Sequence, residues 1–248
     1  MTLLAGAFVL LAAFVTATVS GVLGMAGGLL LMGALLLVLP ATTAFVVHGL
    51  LQLVSNGWRG WLHRRHVRWR IVGWYAVGAV LAAAAVAAVS YAPSTPLTYL
   101  FLGLVPALVW LPEGVLRLDA SRPPHAVAAG LAVTAVNLLA GVAGPLLDVF
   151  FVRADLGRHA VVATKAATQV LSHAAKVVLY GGPLLGGGST GGGLPVGVLL
   201  LAVPLSMLGT AAGGRLLDRM SDASFRSATR WVVSGIGLTY LVQAARLA

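Results

Sequence analysis

Two stretches of the chain carry polar side chains at helical spacing inside apolar sequence. His48, Gln52, Ser55, Asn56 and Arg59 stand at i, i+4, i+7, i+8 and i+11, which puts them on one face of a helix of about 3.6 residues per turn. Lys165, Gln169, Ser172, His173 and Lys176 repeat that spacing, and Lys165 and Lys176 are the only lysines in the chain. Amides, hydroxyls, imidazoles and one or two cations suit the binding of a small oxyanion. A charge near the centre of a bilayer costs about 2.5–3.5 kcal/mol on insertion scales, so such residues face a cavity or a partner. Gln52 and Gln169 fit that site and fit interhelical hydrogen bonding equally well. Lys165 fits either a substrate or counter-ion role or snorkelling to an interface, and Arg59 and Lys176, near helix ends, are expected to snorkel. Asp148 stands alone in Leu146-Leu147-Asp148-Val149-Phe150-Phe151. It either pairs with Lys165, titrates during transport or marks an exit of its helix to water. Asp148, His48 and His173 are the candidates for coupling to protons.

Two glycine-rich breaks complete the candidate site: Gly24-Met25-Ala26-Gly27-Gly28 and Gly141-Val142-Ala143-Gly144-Pro145. Each precedes a short apolar piece whose first backbone N–H groups have no partner within the helix, and Pro145 suits a first helical turn. Helix N-termini attract anions, so Gly27, Gly28, Gly144 and Pro145 join the substrate-binding candidates; close helix packing is the alternative use of such glycines. The breaks belong to a repeat. An offset of 117 carries Gly24 to Gly141, Ala26 to Ala143, Gly27 to Gly144, Gln52 to Gln169 and Ser55 to Ser172 without a gap.

The elements that must position these residues are membrane helices. Of the 248 residues 59% are apolar and only 9% charged, with a mean hydropathy of +0.97, whereas soluble domains carry about 25% charged residues. Apolar segments fall at 3–22, 29–39, 43–62, 71–91, 97–112, 124–141, 145–152, 159–180, 195–213 and 227–245. Spanning a bilayer takes about 20 residues; eight of the segments suffice, and 29–39 and 145–152 read as broken or re-entrant helices. The first segment lacks the charged start and cleavage site of a signal peptide and is kept as a membrane segment. The net charge of +10 is gathered in clusters between apolar runs: Arg59, Arg64, Arg65, Arg68 and Arg70; Arg117 and Arg122; Arg153 and Arg158; Arg215, Arg219, Arg226 and Arg230. Such clusters follow the positive-inside rule and argue against nucleic acid as a partner. With the chain starting outside and every segment reversing it, all four clusters are cytoplasmic and both termini periplasmic. Each half, 1–122 and 123–248, then has five segments, so the halves are inverted. The expected fold is an all-α polytopic membrane protein, an inverted repeat with about eight long helices and two short ones. Gly186 to Gly193 reads as a flexible connector.

The absence of cysteine removes disulfides and thiolate metal sites. The few acidic residues are not clustered for a metal, and no HExxH or Gly-x-Ser-x-Gly motif appears. An enzyme, a metal site and a cofactor are therefore not expected, and the oligomeric state is not set by the sequence. A carrier and an anion channel remain as alternatives.

The glycine-rich break, the Pro40 or Gly157 loop after it, the helix start Ala163-Thr164-Lys165-Ala166-Ala167-Thr168-Gln169 and the basic loop after the first such helix resemble the TauE/SafE sulfite exporter family. The resemblance covers nearly the whole chain. It implies an inner-membrane transporter with duplicated halves that exports sulfite, sulfoacetate or a related organosulfonate, driven by an ion gradient.

Overall fold

A computed structural model describes residues 2–23, 25–110, 118–151, 154–182, 195–217, 219 and 222–247. Among them are ten α-helices: α1 (Leu3–Leu23), α2 (Met25–Leu36), α3 (Ala41–Leu62), α4 (Trp69–Ala88), α5 (Thr95–Leu104), α6 (Pro123–Ala140), α7 (Gly144–Phe151), α8 (Arg158–Tyr180), α9 (Val196–Leu217) and α10 (Asp222–Leu247). The described residues contain no strand. Gly24, Arg117, Arg153 and the Gly186–Gly193 connector lie outside the described residues, as do the side chains of Arg158, Arg226 and Arg230.

The outer surface is apolar. Leu4, Leu11, Trp69, Val80, Leu81, Val178, Leu200, Leu201, Leu208 and Leu238 are all exposed, far more contiguous apolar surface than a water-soluble protein tolerates. Among the described residues four helices, Leu3–Leu23, Trp69–Ala88, Pro123–Ala140 and Val196–Leu216, are long and apolar enough to cross a bilayer. The chain is an all-α multi-pass membrane protein. The interior holds the polar residues, among them His48, Gln52, Ser55, Asn56, Thr134, Asn137, Ser172, His173 and Lys176.

The short helices are the innermost ones. Ala26, Leu29, Leu31, Met32 and Leu35 of α2 are buried, as are Leu147, Phe150 and Phe151 of α7. Two segments differ from the expected pattern. The first glycine-rich stretch is not an extended break: Met25 to Gly28 already form the first turn of α2, one residue after α1 ends. The second is a break, because Gly141 caps α6 in the left-handed conformation with φ of 86° and Val142 and Ala143 are non-helical before α7 starts. A left-handed cap favours glycine, which has no Cβ to clash. The expected 97–112 helix is also shorter, with α5 ending at Leu104 and continuing as a 3-10 helix over Val105–Trp110. Pro106 accounts for this, since it has no N–H to donate to the Leu102 carbonyl and its ring crowds that carbonyl, although Val105 before it keeps helical dihedrals, φ −55° and ψ −38°.

The main helix seams join the two sequence halves. α1 packs on α9, α4 on α6, α3 on α8, and α5 on α10, while α4 also meets α8 and α9 meets α3. Exchanging α1–α5 for α6–α10 in order leaves this set of seams unchanged. The helices α1–α5 and α6–α10 are thus interleaved in space.

Candidate functional site

The two polar helices meet at the centre, where α3 crosses α8. A small cavity of about 20 Å3, room for about one water molecule, opens beside that crossing. Its polar lining comes from both halves: Ser20 of α1, Gly28 of α2, His48 and Gln52 of α3, Asn137 of α6, Gly144 of α7, and Gln169, Ser172 and His173 of α8, with Val133, Val142 and Ala143 filling the rest. Seven of the expected site residues therefore share one space: Gly28, His48, Gln52, Gly144, Gln169, Ser172 and His173.

The hydrogen bonds aim these groups. Asn56 Nδ2 donates to Gln52 Oε1 at 3.1 Å, so the Gln52 carbonyl is taken and its NH2 remains as the donor. That Nε2 faces Gly28, where a Cβ would stand 3.1 Å from it. The lack of a side chain at Gly28 keeps the space open. His48 Nε2–H donates to the Gly28 carbonyl at 3.1 Å, which leaves Nδ1 as an acceptor for the Lys176 ammonium at 3.3 Å. Ser172 Oγ lies 2.7 Å from both the Tyr75 hydroxyl of α4 and the Thr134 hydroxyl of α6. Asn137 Nδ2 is 3.5 Å from His173 Nδ1, and its Oδ1 is buried without a hydrogen-bond partner. The His48 and His173 rings lie 5.4 Å apart.

Other expected residues stand apart from the cavity. Gly27 belongs to the α1–α2 contact, where a Cβ would collide with the Thr16 carbonyl and Ser20, and Pro145 is buried in the first turn of α7. Ser55 pairs with Thr210 of α9 at 2.8 Å, and Asn56 acts through Gln52. Lys165 forms an ion pair with Asp148 of α7, the first of the three readings offered for that carboxylate. Snorkelling does not describe Lys176. Its side chain is 0% exposed, its Nζ donates to the Gly141 carbonyl at 2.5 Å and lies 5.3 Å from the centre of the Phe45 ring. The α6 cap turns a carbonyl inward that the ammonium satisfies. Arg59, its equivalent under the 117-residue offset, donates to the carbonyl and hydroxyl oxygens of Ser20 at 2.9 and 3.0 Å.

Ser20 and Asn137 were not anticipated. Each lies in a long, mostly apolar helix with other polar residues, Thr16 and Thr18 in α1 and His125 and Thr134 in α6, and scattered polar residues in such helices are common. A signal was present nevertheless, since 20 and 137 differ by the same 117 that relates Gln52 to Gln169.

The cavity thus offers neutral donors from helices of both sequence halves, with cations one residue layer behind. No group of three or more potential metal-ligating side chains is present among the described residues. A family model described as Sulfite exporter TauE/SafE matches residues 9–240. The chain belongs to the TauE/SafE sulfite exporter family. No curated protein and no solved structure gives a significant match. The TauE/SafE match extends over both breaks and both polar helices, so every residue lining the cavity lies within it. Membership makes this a multi-pass protein of a membrane transporter family, with a sulfur anion as the class of substrate its family name indicates.

Proposed function

We propose that the cavity is the substrate site of a secondary transporter that exports a small sulfur-containing anion, sulfite, sulfoacetate or a related organosulfonate, across the bacterial inner membrane by alternating access. The observation that carries this reading is the meeting of Gln52 and Gln169, equivalent residues of the two sequence halves, on one small cavity lined by donors and closed by the short helices α2 and α7. Buried amide and hydroxyl donors replace the hydration of an oxyanion at small reorganisation cost. Residues 1–122 and 123–248 are taken as oppositely oriented copies, with both termini periplasmic; the seams preserved on exchanging the halves support that arrangement, as does the fourfold clustering of arginine. Inverted copies have two equivalent ways of closing, one toward each side of the membrane. Coupling to protons is assigned to Asp148, His48 and His173: the two imidazoles line the cavity, and Asp148 holds Lys165 at the end of α8 that begins the polar stripe.

Flux of sulfite and of sulfoacetate into proteoliposomes, with and without an imposed pH gradient and beside chloride and acetate, tests the reading. Saturable, gradient-sensitive movement of a sulfur anion is the expected outcome. Fast, unsaturable movement of every anion would make the protein a channel, and no movement of any sulfur anion would end the proposal.

A further inference from the structure

The cations nearest the cavity do not line it. Lys176 lies behind His48, bonded to the Nδ1 of an imidazole whose ring forms the wall. Arg59 lies behind Ser20, bonded to both oxygens of another wall residue. The two occupy equivalent positions 117 residues apart, on the helices α3 and α8 that cross at the site. Among the described residues neither is in an ion pair, whereas Lys165 is held by Asp148. Lys176 in particular is a fully buried ammonium that meets only a carbonyl, an imidazole nitrogen and a ring face. An unpaired charge inside a membrane protein is costly unless an opposite charge visits it, and in a low-dielectric interior a charge is felt across one layer of side chains.

We propose that Arg59 and Lys176 are the fixed counter-charges of the cavity, acting through its wall from opposite ends, and that two of them make the site selective for a doubly charged small anion. This rests on the anion reading of the cavity given above. Neither cation touches the substrate. The neutral groups of the wall bind and orient it, while the pair sets the charge that the site accepts. With the halves inverted, equivalent positions fall on opposite sides of the midplane, so a dianion at the centre has one counter-charge toward each face of the membrane.

Titration calorimetry on the full chain in nanodiscs of uncharged lipid tests this with two sulfonates of similar size, sulfoacetate with two charges and ethanesulfonate with one. The native protein is expected to hold sulfoacetate roughly tenfold more tightly. Lys176→Gln and Arg59→Gln should each lower that ratio roughly fivefold, because loss of one counter-charge weakens ethanesulfonate by roughly fivefold and sulfoacetate by roughly the square of that factor. The paired exchange Arg59→Lys with Lys176→Arg should keep the ratio, because the charges are kept. A native ratio near one, or folded glutamine variants that retain the native ratio, would overturn the role of the pair while the anion site stands. Absence of binding by either sulfonate would instead remove the anion reading, and this inference with it. If a glutamine variant does not run as a single species in gel filtration, the folded exchange variant decides, since loss of the ratio there shows that charge is not what the pair supplies.

Discussion

Gln52 and Gln169 are the residues on which direct contact with an anion rests, because each presents an amide to the same cavity and Asn56 fixes the direction of one of them. A hydrogen bond to a charged group contributes about 1.5–3 kcal/mol. Gln52→Ala or Gln169→Ala should therefore weaken anion affinity roughly ten- to a hundredfold while the amount of folded protein, read by fluorescence-detected gel filtration, stays near native; parallel loss of both would make the glutamines structural. Asp148 and Lys165 behave differently. Their ion pair is partly buried, and removing one partner of a buried pair costs about 3–5 kcal/mol whereas removing both costs far less. Asp148→Asn and Lys165→Met should each lower the melting temperature, and the double variant should recover most of the loss. If the recovered double variant also transports without sensitivity to a pH gradient, the pair carries the coupling. The polar residues of the stripe were legible because type and spacing coincide on α3 and α8. What spacing cannot give is which side chain reaches the cavity: Ser55 turns to Thr210 and Lys165 to Asp148, while Ser172, equivalent to Ser55, lines the space. Those choices depend on partners far away in sequence.

At the scale of the helix, close approach is what glycine provides. A Cβ at Gly78 would strike the Val127 carbonyl of α6, and one at Gly130 the Tyr75 carbonyl of α4. Tyr75 in turn holds Ser172 in the wall. Gly78→Val is expected to part α4 from α6 at a cost of about 1–3 kcal/mol or more, seen as a lower melting temperature and a smaller monodisperse fraction. Gly73→Ala, with no heavy atom within 4 Å of its Cβ, should leave both unchanged or slightly raised, in line with the helix preference of alanine. Most elements were legible from the alternation of apolar runs with arginine clusters. Their ends were not. Met25 to Gly28 read as a break and form a helical turn, because a helix packed against α1 tolerates glycines that would weaken it in isolation. Pro106 shortened a segment whose apolar length alone promised a full span.

For the whole molecule, orientation is open to a direct measurement. The loop after α3 carries Arg64, Arg65, His66 and Arg68 with exposed side chains, for which the positive-inside rule predicts the cytoplasmic side. A single cysteine at Arg65, in this cysteine-free chain, should resist a membrane-impermeant thiol reagent in intact spheroplasts and react in inverted vesicles. A cysteine placed within 181–195 should do the reverse, and the same sidedness for both would overturn the inverted arrangement. The interleaving of the halves also bears on how the protein is made. α1 leaves the ribosome well before its principal partner, α9, which begins only at Val196. At about 5–20 residues per second that wait is on the order of ten seconds or longer. Throughout it the small-residue face of α1, with Ala17 and Gly21, stands without Gly209 and Gly213, the residues it packs against in the finished fold. The seam that α1 opens is thus closed late in synthesis, by a helix from the other half of the chain.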